Sequence, residues 1–397
     1  AKRIHCVEMR DHIDVSDSPN PEEYKRTSMT SSAAIDYGYW WCELMGDGDD
    51  IIPDYEKIRD DLMAYAYGIW DHIKNNKEGL HQHHAENYAL DWVGALEGDY
   101  LLNENDILEH RRFDDAVCYG GWCVDMHAPH GLLDEDKLPS DCNFYEGVYT
   151  IPYRSYYSRN IDNLFMAGRD ISTSRMGLAS TRIIGCCAIG GEAVGLAAAR
   201  CIQHHCLPRE LAPFVGEVQQ DILRDGGYLP GFANTDADDL ARTARFTASS
   251  CKAGINPQDV VNGVSRKIGA NFNGWRSDGF APGGETLTMT FDGEKQVSEL
   301  RFVFHSDFKY PIRVTMCPNR QVQQRPGVPA ELMQDYDVEL LRGGKVVKTI
   351  PVRGNHQRLN VLKFDATACD QVNLRCLSTN GAPDATVFEV RAYSEQK

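Results

Sequence analysis

The residues best suited to moving protons stand together in Asp125-Met126-His127-Ala128-Pro129-His130, directly after the turn Gly120-Gly121-Trp122. An imidazole titrates near neutrality, so His127, and after it His130, can take the proton of a substrate hydroxyl as general base. Trp122 and Asp125 are placed in the chain to bind that substrate. Two histidines and a carboxylate also make a metal-ligand set, though ligands this close in one loop are a weak pattern, and both imidazoles can simply be solvated. His81-Gln82-His83-His84 is denser, but it follows Lys77-Glu78-Gly79 in a polar stretch and reads as solvated, with metal capture as the alternative. Tyr145, Tyr149, Tyr153, Tyr156 and Tyr157 form an aromatic run with the cationic Arg154. Tyr153 and Arg154 can contact a flat or sugar-like ring, or the tyrosines can pack as alternate strand residues.

These residues need elements to hold them. Lys57 to Asn75 reads as an amphipathic helix, with Ile58, Leu62, Ala66 and Ile69 on one face and Pro53-Asp54 as its start signal. Asn76 to Gly147 is rich in Gly, Asp, His and Trp and reads as loops, where binding groups concentrate. Asn163-Leu-Phe-Met-Ala-Gly-Arg-Asp170 reads as a short apolar strand running into a Gly turn. Ser180 to Cys201 reads as one helix whose Gly185, Ala188, Gly191, Gly195 and Ala199 make a small face, able to approach a backbone or a ligand closely. Val215 to Arg224 reads as a further helix closing at Gly226-Gly227. Beyond a boundary near residue 240, alternating segments such as Leu287–Phe291, Glu299–Phe304, Tyr336–Leu340 and Val387–Ala392 are separated by turn residues, the pattern of a β-sandwich.

Composition narrows the classes of partner. A net charge of -17 on 397 residues leaves no clustered Lys and Arg to neutralise phosphates, which argues against nucleic acid and anionic membranes. No apolar run is read as reaching the ~18 residues of a membrane span, and the opening Ala1-Lys2-Arg3-Ile4-His5-Cys6 does not make a signal peptide. An Ala at position 1 points to a processed or incomplete N-terminus. Thirteen cysteines lack the spacing of a disulfide framework. Cys186-Cys187 read as small buried hydrophobes.

The stretch Asn163-Leu-Phe-Met-Ala-Gly-Arg-Asp-Ile-Ser172, followed by Gly177-Leu-Ala-Ser-Thr-Arg182 and Gly190-Gly-Glu-Ala-Val-Gly195, resembles the C-terminal flavin motif of the FAD-dependent oxidoreductase family with a glutathione-reductase-type fold. Tyr39–Glu43, Gly68–Ile73, Ala89–Gly94, Gly98–Tyr100 with Asn105–Ile107, and Phe113–Ala116 with Tyr119–Trp122 are similar to the same family in the same order. The resemblance spans roughly residues 30 to 232. It implies FAD as cofactor, with Gly168, Arg169, Asp170, Ser172, Gly177, Ser180, Thr181, Arg182 and Gly190 at the cofactor: Asp170 toward a ribityl hydroxyl, Arg169 toward a phosphate or the flavin edge. A helix N-terminus there would stabilise negative charge on the reduced ring, and Ser180 and Thr181 can instead be ordinary N-caps. Residues from Phe246 through Trp275-Arg276-Ser277 to Val387–Arg391 resemble a discoidin-like (coagulation-factor type) sandwich. Such modules bind carbohydrate or other surface ligands, and Trp275 is the exposed-aromatic candidate, with a buried sandwich residue as the other reading.

The expected fold is therefore α/β, an incomplete FAD/NAD(P)-binding fold of the glutathione-reductase type, followed by an all-β discoidin-like jelly roll. Domains are expected at 1–205, a helical connector at 206–240 and the sandwich at 241–397. No Gly-x-Gly-x-x-Gly follows a strand, so the element that would hold the FAD pyrophosphate is not seen in the sequence. An Arg-rich segment common in relatives after Asp91–Gly94 is also absent, since Ala95-Leu96-Glu97 leads directly to Gly98. The expected function is oxidation or reduction of a hydroxylated small molecule, a carbohydrate derivative among the candidates, by hydride transfer to flavin. A partner chain carrying the dinucleotide-binding half, or self-association, would complete it. The alternative is a non-catalytic carbohydrate- or protein-binding subunit on the same scaffold. The compartment is open, with the sandwich favouring an extracytoplasmic one.

Overall fold

The computed structural model describes residues 96–127, 140–308 and 327–395, together with 56, 57, 59, 60, 63, 64, 322, 324 and 325. The described residues between 56 and 64 are helical, starting one residue before the helix expected over 57–75; Ile58, Leu62, Ala66 and Ile69 lie outside the described residues. Two compact units emerge. One runs to Phe113 and resumes over Tyr119–Gly191; the other takes Asp114–Cys118, Glu192–Ile312 and Gln324–Lys397.

The first unit is laced by backbone. Helix α1 (Glu104–Leu108) starts because Asn103 accepts from the Asn105 N–H at 3.0 Å while Asp106 accepts from the Asn103 N–H at 3.1 Å. Asp106 is buried and also takes the Tyr100 hydroxyl and the Arg111 guanidinium. Three segments then knit together: Tyr100 N–H donates to Arg154 O, Ser172 N–H to Ser155 O and Leu102 N–H to Ser172 O. Gly98 fits this crossing because a Cβ there would lie 2.7 Å from Arg154 O. Strand β2 is Val124–His127, β3 Ser140–Asn143 and β4 Tyr149–Pro152, preceded in the chain by β1 (Ala116–Gly120), whose first three residues belong to the second unit; β2 and β3 pair antiparallel, with Asp125 opposite Cys142.

Two readings change here. Asn163 to Met166 is not a strand: Phe165 makes only an isolated bridge to Tyr157, and Gly168–Asp170 is a 3-10 turn with Gly168 at φ +87°. The helix read over Ser180–Cys201 is two, α2 (Arg175–Thr181) and α3 (Ile184–His204). The break falls among three β-branched residues, Thr181, Ile183 and Ile184, around Arg182, whose side chain donates to Asp125. Ser180 and Thr181 thus end a helix, and Ser174 caps it, accepting from the Gly177 N–H at 3.0 Å. Among the described residues α3 is also long and apolar enough to cross a membrane by length and composition, with 28% of that window buried. The expectation that no run reaches such length thus meets one helix that does so by length and composition, its apolar character coming from Ile184, Ile189, Val194, Leu196 and Ile202 together with small residues.

The second unit holds helix α4 (Val215–Arg224) and the sandwich strands β5 (Arg245–Ala248), β6 (Trp275–Arg276), β7 (Glu285–Phe304), β8 (Met333–Arg342), β9 (Lys345–Val352), β10 (Leu359–Thr379) and β11 (Thr386–Tyr393). All pairings are antiparallel, in the order β6-β11-β7-β10-β8-β9, with β5 beside β7. Two long strands explain the layering. The first half of β7 pairs with β5 and the C-terminal half of β10, which pairs on with β8; the second half of β7 pairs with β11 and the N-terminal half of β10. Register shifts at Lys363/Thr367 and Cys369/Gln371 bend the pair, so that its halves serve two packed sheets. Phe246, Trp275, Leu287, Phe302, Tyr336 and Val390 fill the space between. Helix α4 is tied to this unit through its exposed carbonyls: Arg391 donates to Leu223 O and Arg301 to Arg224 O, cations at a helix C-terminus.

Candidate active site

The site candidates gather where β2, the turn before it and the segment 168–182 meet, all within the first unit. Asp125 is 6% exposed and receives Arg182 Nη2 at 3.1 Å, joining β2 to the α2–α3 break. His127 is the last residue of β2, two positions from Asp125; His130 and the cluster His81-His83-His84 lie outside the described residues. Among the described residues no group of three His, Cys, Asp or Glu side chains could hold a metal ion.

Trp122 is exposed, and its carbonyl is the focus of a hydroxyl network. Tyr145 OH donates to Trp122 O at 2.5 Å and Ser180 Oγ donates to the same oxygen at 2.6 Å. Tyr149 OH and Ser180 Oγ are 2.8 Å apart, so with the serine proton spent on Trp122 O the tyrosine donates to the serine. Burial raises the Tyr145 pKa, keeping that phenol protonated. His110, at φ +54°, lies edge-on to Tyr145 at 5.3 Å between ring centroids, and its buried Nδ1 has no hydrogen-bond partner. Gly120 lets Tyr149 and Cys186 approach the turn; a Cβ would collide with the phenol. Burial, with Cys187 as neighbour, pushes the Cys186 thiol up to about 11, so it stays protonated at neutral pH, although both cysteines, read as buried, are partly exposed.

Along the segment itself, Gly168, Arg169 and Asp170 are half-exposed in the 3-10 turn. Ser172 is fully buried and its hydroxyl has no protein partner. Gly177 sits where a Cβ would collide with Thr173 Oγ1, and Thr181 Oγ1 returns to Gly177 O at 3.2 Å. Gly190 accommodates the Tyr156 ring, against which a Cβ would stand at 2.7 Å. Tyr153 is buried, tilted on Tyr157 at 5.2 Å and edge-on to Phe165 at 6.2 Å, so its surroundings are those of a packing residue. Arg154 lies over the Tyr100 ring at 5.1 Å. Of the two readings of Trp275, exposed aromatic or buried sandwich residue, the second is the one found: it is fully buried with its indole N–H donating to Ser250 O at 2.9 Å and belongs to the sandwich core.

Sequence reasoning overlooked His110 and the convergence of Tyr145, Tyr149 and Ser180 on one carbonyl. The tyrosine run was visible, but its target lies 58 residues from Ser180 in the chain.

Several solved structures are similar to the C-terminal part. A fucose binding module from Streptococcus pneumoniae shares 14% identity over 40% of this chain and 95% of its own, with a TM-score of 0.31. The lectin domain of lectinolysin complexed with Lewis B antigen shares 15% over 41% of this chain and 100% of its own, TM-score 0.31. The family 32 CBM from C. perfringens NanJ, in complex with galactose, shares 11% over 39% and 98%, TM-score 0.29. Comparison with curated proteins gives no match. Residues 8–222, more than half of the 397, match the model of the family described as FAD dependent oxidoreductase, and the chain belongs to that family.

Proposed function

We propose that this chain forms the flavin- and substrate-facing part of an oxidoreductase that oxidises or reduces a hydroxylated small molecule of carbohydrate type. The observation that carries the reading is the buried Arg182–Asp125 pair, which ties the segment assigned to the cofactor to the strand that ends in His127. One feature fits FAD at that segment: the buried Ser172 hydroxyl without a protein partner. Arg169, Asp170 and Ser172 would hold its polar chain, with Gly177 and Arg182 beside them. FAD, when bound, supplies a two-electron acceptor for hydride. His127 takes the hydroxyl proton of the substrate, with His130 as the second candidate. Trp122 offers an exposed ring for a sugar face, Arg154 a guanidinium within the tyrosine run, and Asp125 keeps β2 in place through Arg182. Excluding water and fixing this strand are what the Tyr145–Ser180–Tyr149 network contributes.

The exposed face of α3 supports a partner chain. Ile184, Gly185, Ala188, Glu192, Gly195, Ala199 and Ile202 recur at helical spacing and are all exposed, Ile184 at 85% and Ile202 at 75%. An apolar, small-residue face of this length left in water is what a packed neighbour would cover, and a chain carrying the dinucleotide-binding half is the occupant we propose, with a second copy as the alternative. The sandwich would bind carbohydrate and favours an extracytoplasmic setting. Natively purified protein, examined by visible absorption and by intact mass of every polypeptide present, should show a flavin band together with a second chain. Colourless protein from one chain that stays colourless on adding FAD would overturn the redox reading and favour a carbohydrate- or protein-binding subunit.

A further inference from the structure

Cys123 and Cys142 stand on one face of the β2–β3 ladder. Cys123 immediately precedes β2, and Cys142 lies opposite Asp125. Residues two apart on a strand share a face, so the two thiols are diagonal neighbours across the ladder. They are hydrogen-bonded to one another, and Cys142 also to Asp125. Neither is joined in a disulfide, Cys123 being 5% exposed and Cys142 more open.

We propose that Cys123 and Cys142 are a redox-modification site, closing to an intramolecular disulfide when the protein meets a low-molecular-weight disulfide such as glutathione disulfide. Cys142, the more accessible, attacks first as thiolate: its sulfur bonds to one glutathione sulfur and the other leaves as glutathione. The Cys123 thiolate then attacks the Cys142 sulfur and expels the second glutathione. Two protein thiols are oxidised, one small disulfide is reduced to two thiols, and the protons lost by the cysteines end on the departing glutathiones. Burial pushes Cys142 up to about 12, helped by its hydrogen bonds to Asp125 and Cys123, and burial raises Cys123 as well. Thiols so hard to ionise exchange slowly, and the disulfide they form resists reduction, because the reduced state gains nothing from a stabilised thiolate. The bond is thus a clamp and not a fast switch. It closes a covalent ring from residue 123 to 142 that contains Asp125, His127 and His130. The clamp rests on the ladder alone and holds whether or not the flavin reading does.

The test uses the reduced full-length chain, exchanged under native conditions in a glutathione disulfide buffer, quenched by alkylation and cleaved after aromatic residues and after lysine. Tyr119 and Trp122 separate Cys118 from Cys123, Lys137 separates Cys123 from Cys142, and Phe144 closes the second peptide, so each thiol is read individually. Cys123 and Cys142 should leave the alkylatable pool together and reappear as one cross-linked peptide pair, two hydrogens lighter than its two parts. The proposal is overturned if both stay alkylatable, if either ends only as a glutathione adduct, or if either pairs with another cysteine. Because the cross-link is sought in the unmutated chain, a folding defect in Cys123→Ser or Cys142→Ser does not touch the outcome.

Discussion

Ser180 illustrates how much rests on single hydroxyls in this site. It is fully buried, gives its proton to Trp122 O at 2.6 Å and accepts from Tyr149 at 2.8 Å. Replacing it by Ala removes one donor from the carbonyl and one acceptor from the phenol. Leaving buried polar groups short of partners costs about 1–3 kcal/mol, so Ser180→Ala should lower the stability read from urea unfolding by that much. Tyr149→Phe in the same background should then cost less than it does alone, a coupling that a double-mutant cycle in urea measures; simple additivity would remove the hydrogen bond from the account. Residue types of this kind were readable in the sequence: the histidine loop, the tyrosine run, and the arginine and aspartate of the 168–182 segment. Their partners were not. Arg182 meets Asp125 and Ser180 meets Trp122 across more than fifty positions, and no local pattern encodes contacts at that range.

At the scale of elements, helix periodicity placed α3 and α4 closely, whereas the break before α3 and the orientation of its faces depended on tertiary partners. The glycines separate these effects. Gly190 faces Tyr156 so tightly that a Cβ would stand 2.7 Å from the ring, whereas Gly195 faces open space. Overpacking costs about 1–3 kcal/mol, and Gly190→Ala should destabilise the chain accordingly. Gly195→Ala removes only the helix penalty of glycine, about 0.5–1 kcal/mol, and should raise the thermal midpoint of the chain by itself. If a partner packs on that face, the same substitution should weaken its binding, because the added methyl occupies the approach. Thermal unfolding of the isolated chain and pull-down of the partner therefore move in opposite directions for Gly195→Ala and together for a purely structural glycine. The small-residue face was legible as a pattern, while which of its glycines serve internal packing was not: Gly190 is matched to Tyr156, a residue far back in the chain.

The whole molecule depends on a sandwich whose segments were legible from alternation, because strands with one face in a core repeat at a period of two. One fact escaped that reading, that β7 and β10 each run through both sheets, and one was left open by it, which of its two surroundings Trp275 takes. Both follow from tertiary closure and not from local pattern. Closure also places a charge at a seam. Glu285, the first residue of β7, is 3% exposed and accepts from Ser249 Oγ at 2.5 Å, Ser250 Oγ at 2.6 Å and the Ala281 N–H at 3.0 Å. Burial alone would raise its pKa, yet the two hydroxyls and the amide together outweigh it and hold the carboxyl below its ordinary 4.5. A carboxylate whose folded pKa is depressed binds fewer protons in the folded than in the unfolded state. Its contribution is therefore complete above the unfolded value and lost as pH falls through the folded one. Urea titrations at neutral pH and at successive steps below 4.5 should show the sandwich losing stability as acid is added. Glu285→Gln, which keeps the shape but cannot lose a proton, should start lower at neutral pH and fall less steeply through the same window. Parallel curves for the two proteins would mean that other carboxylates, and not this seam, set the acid limit of the fold.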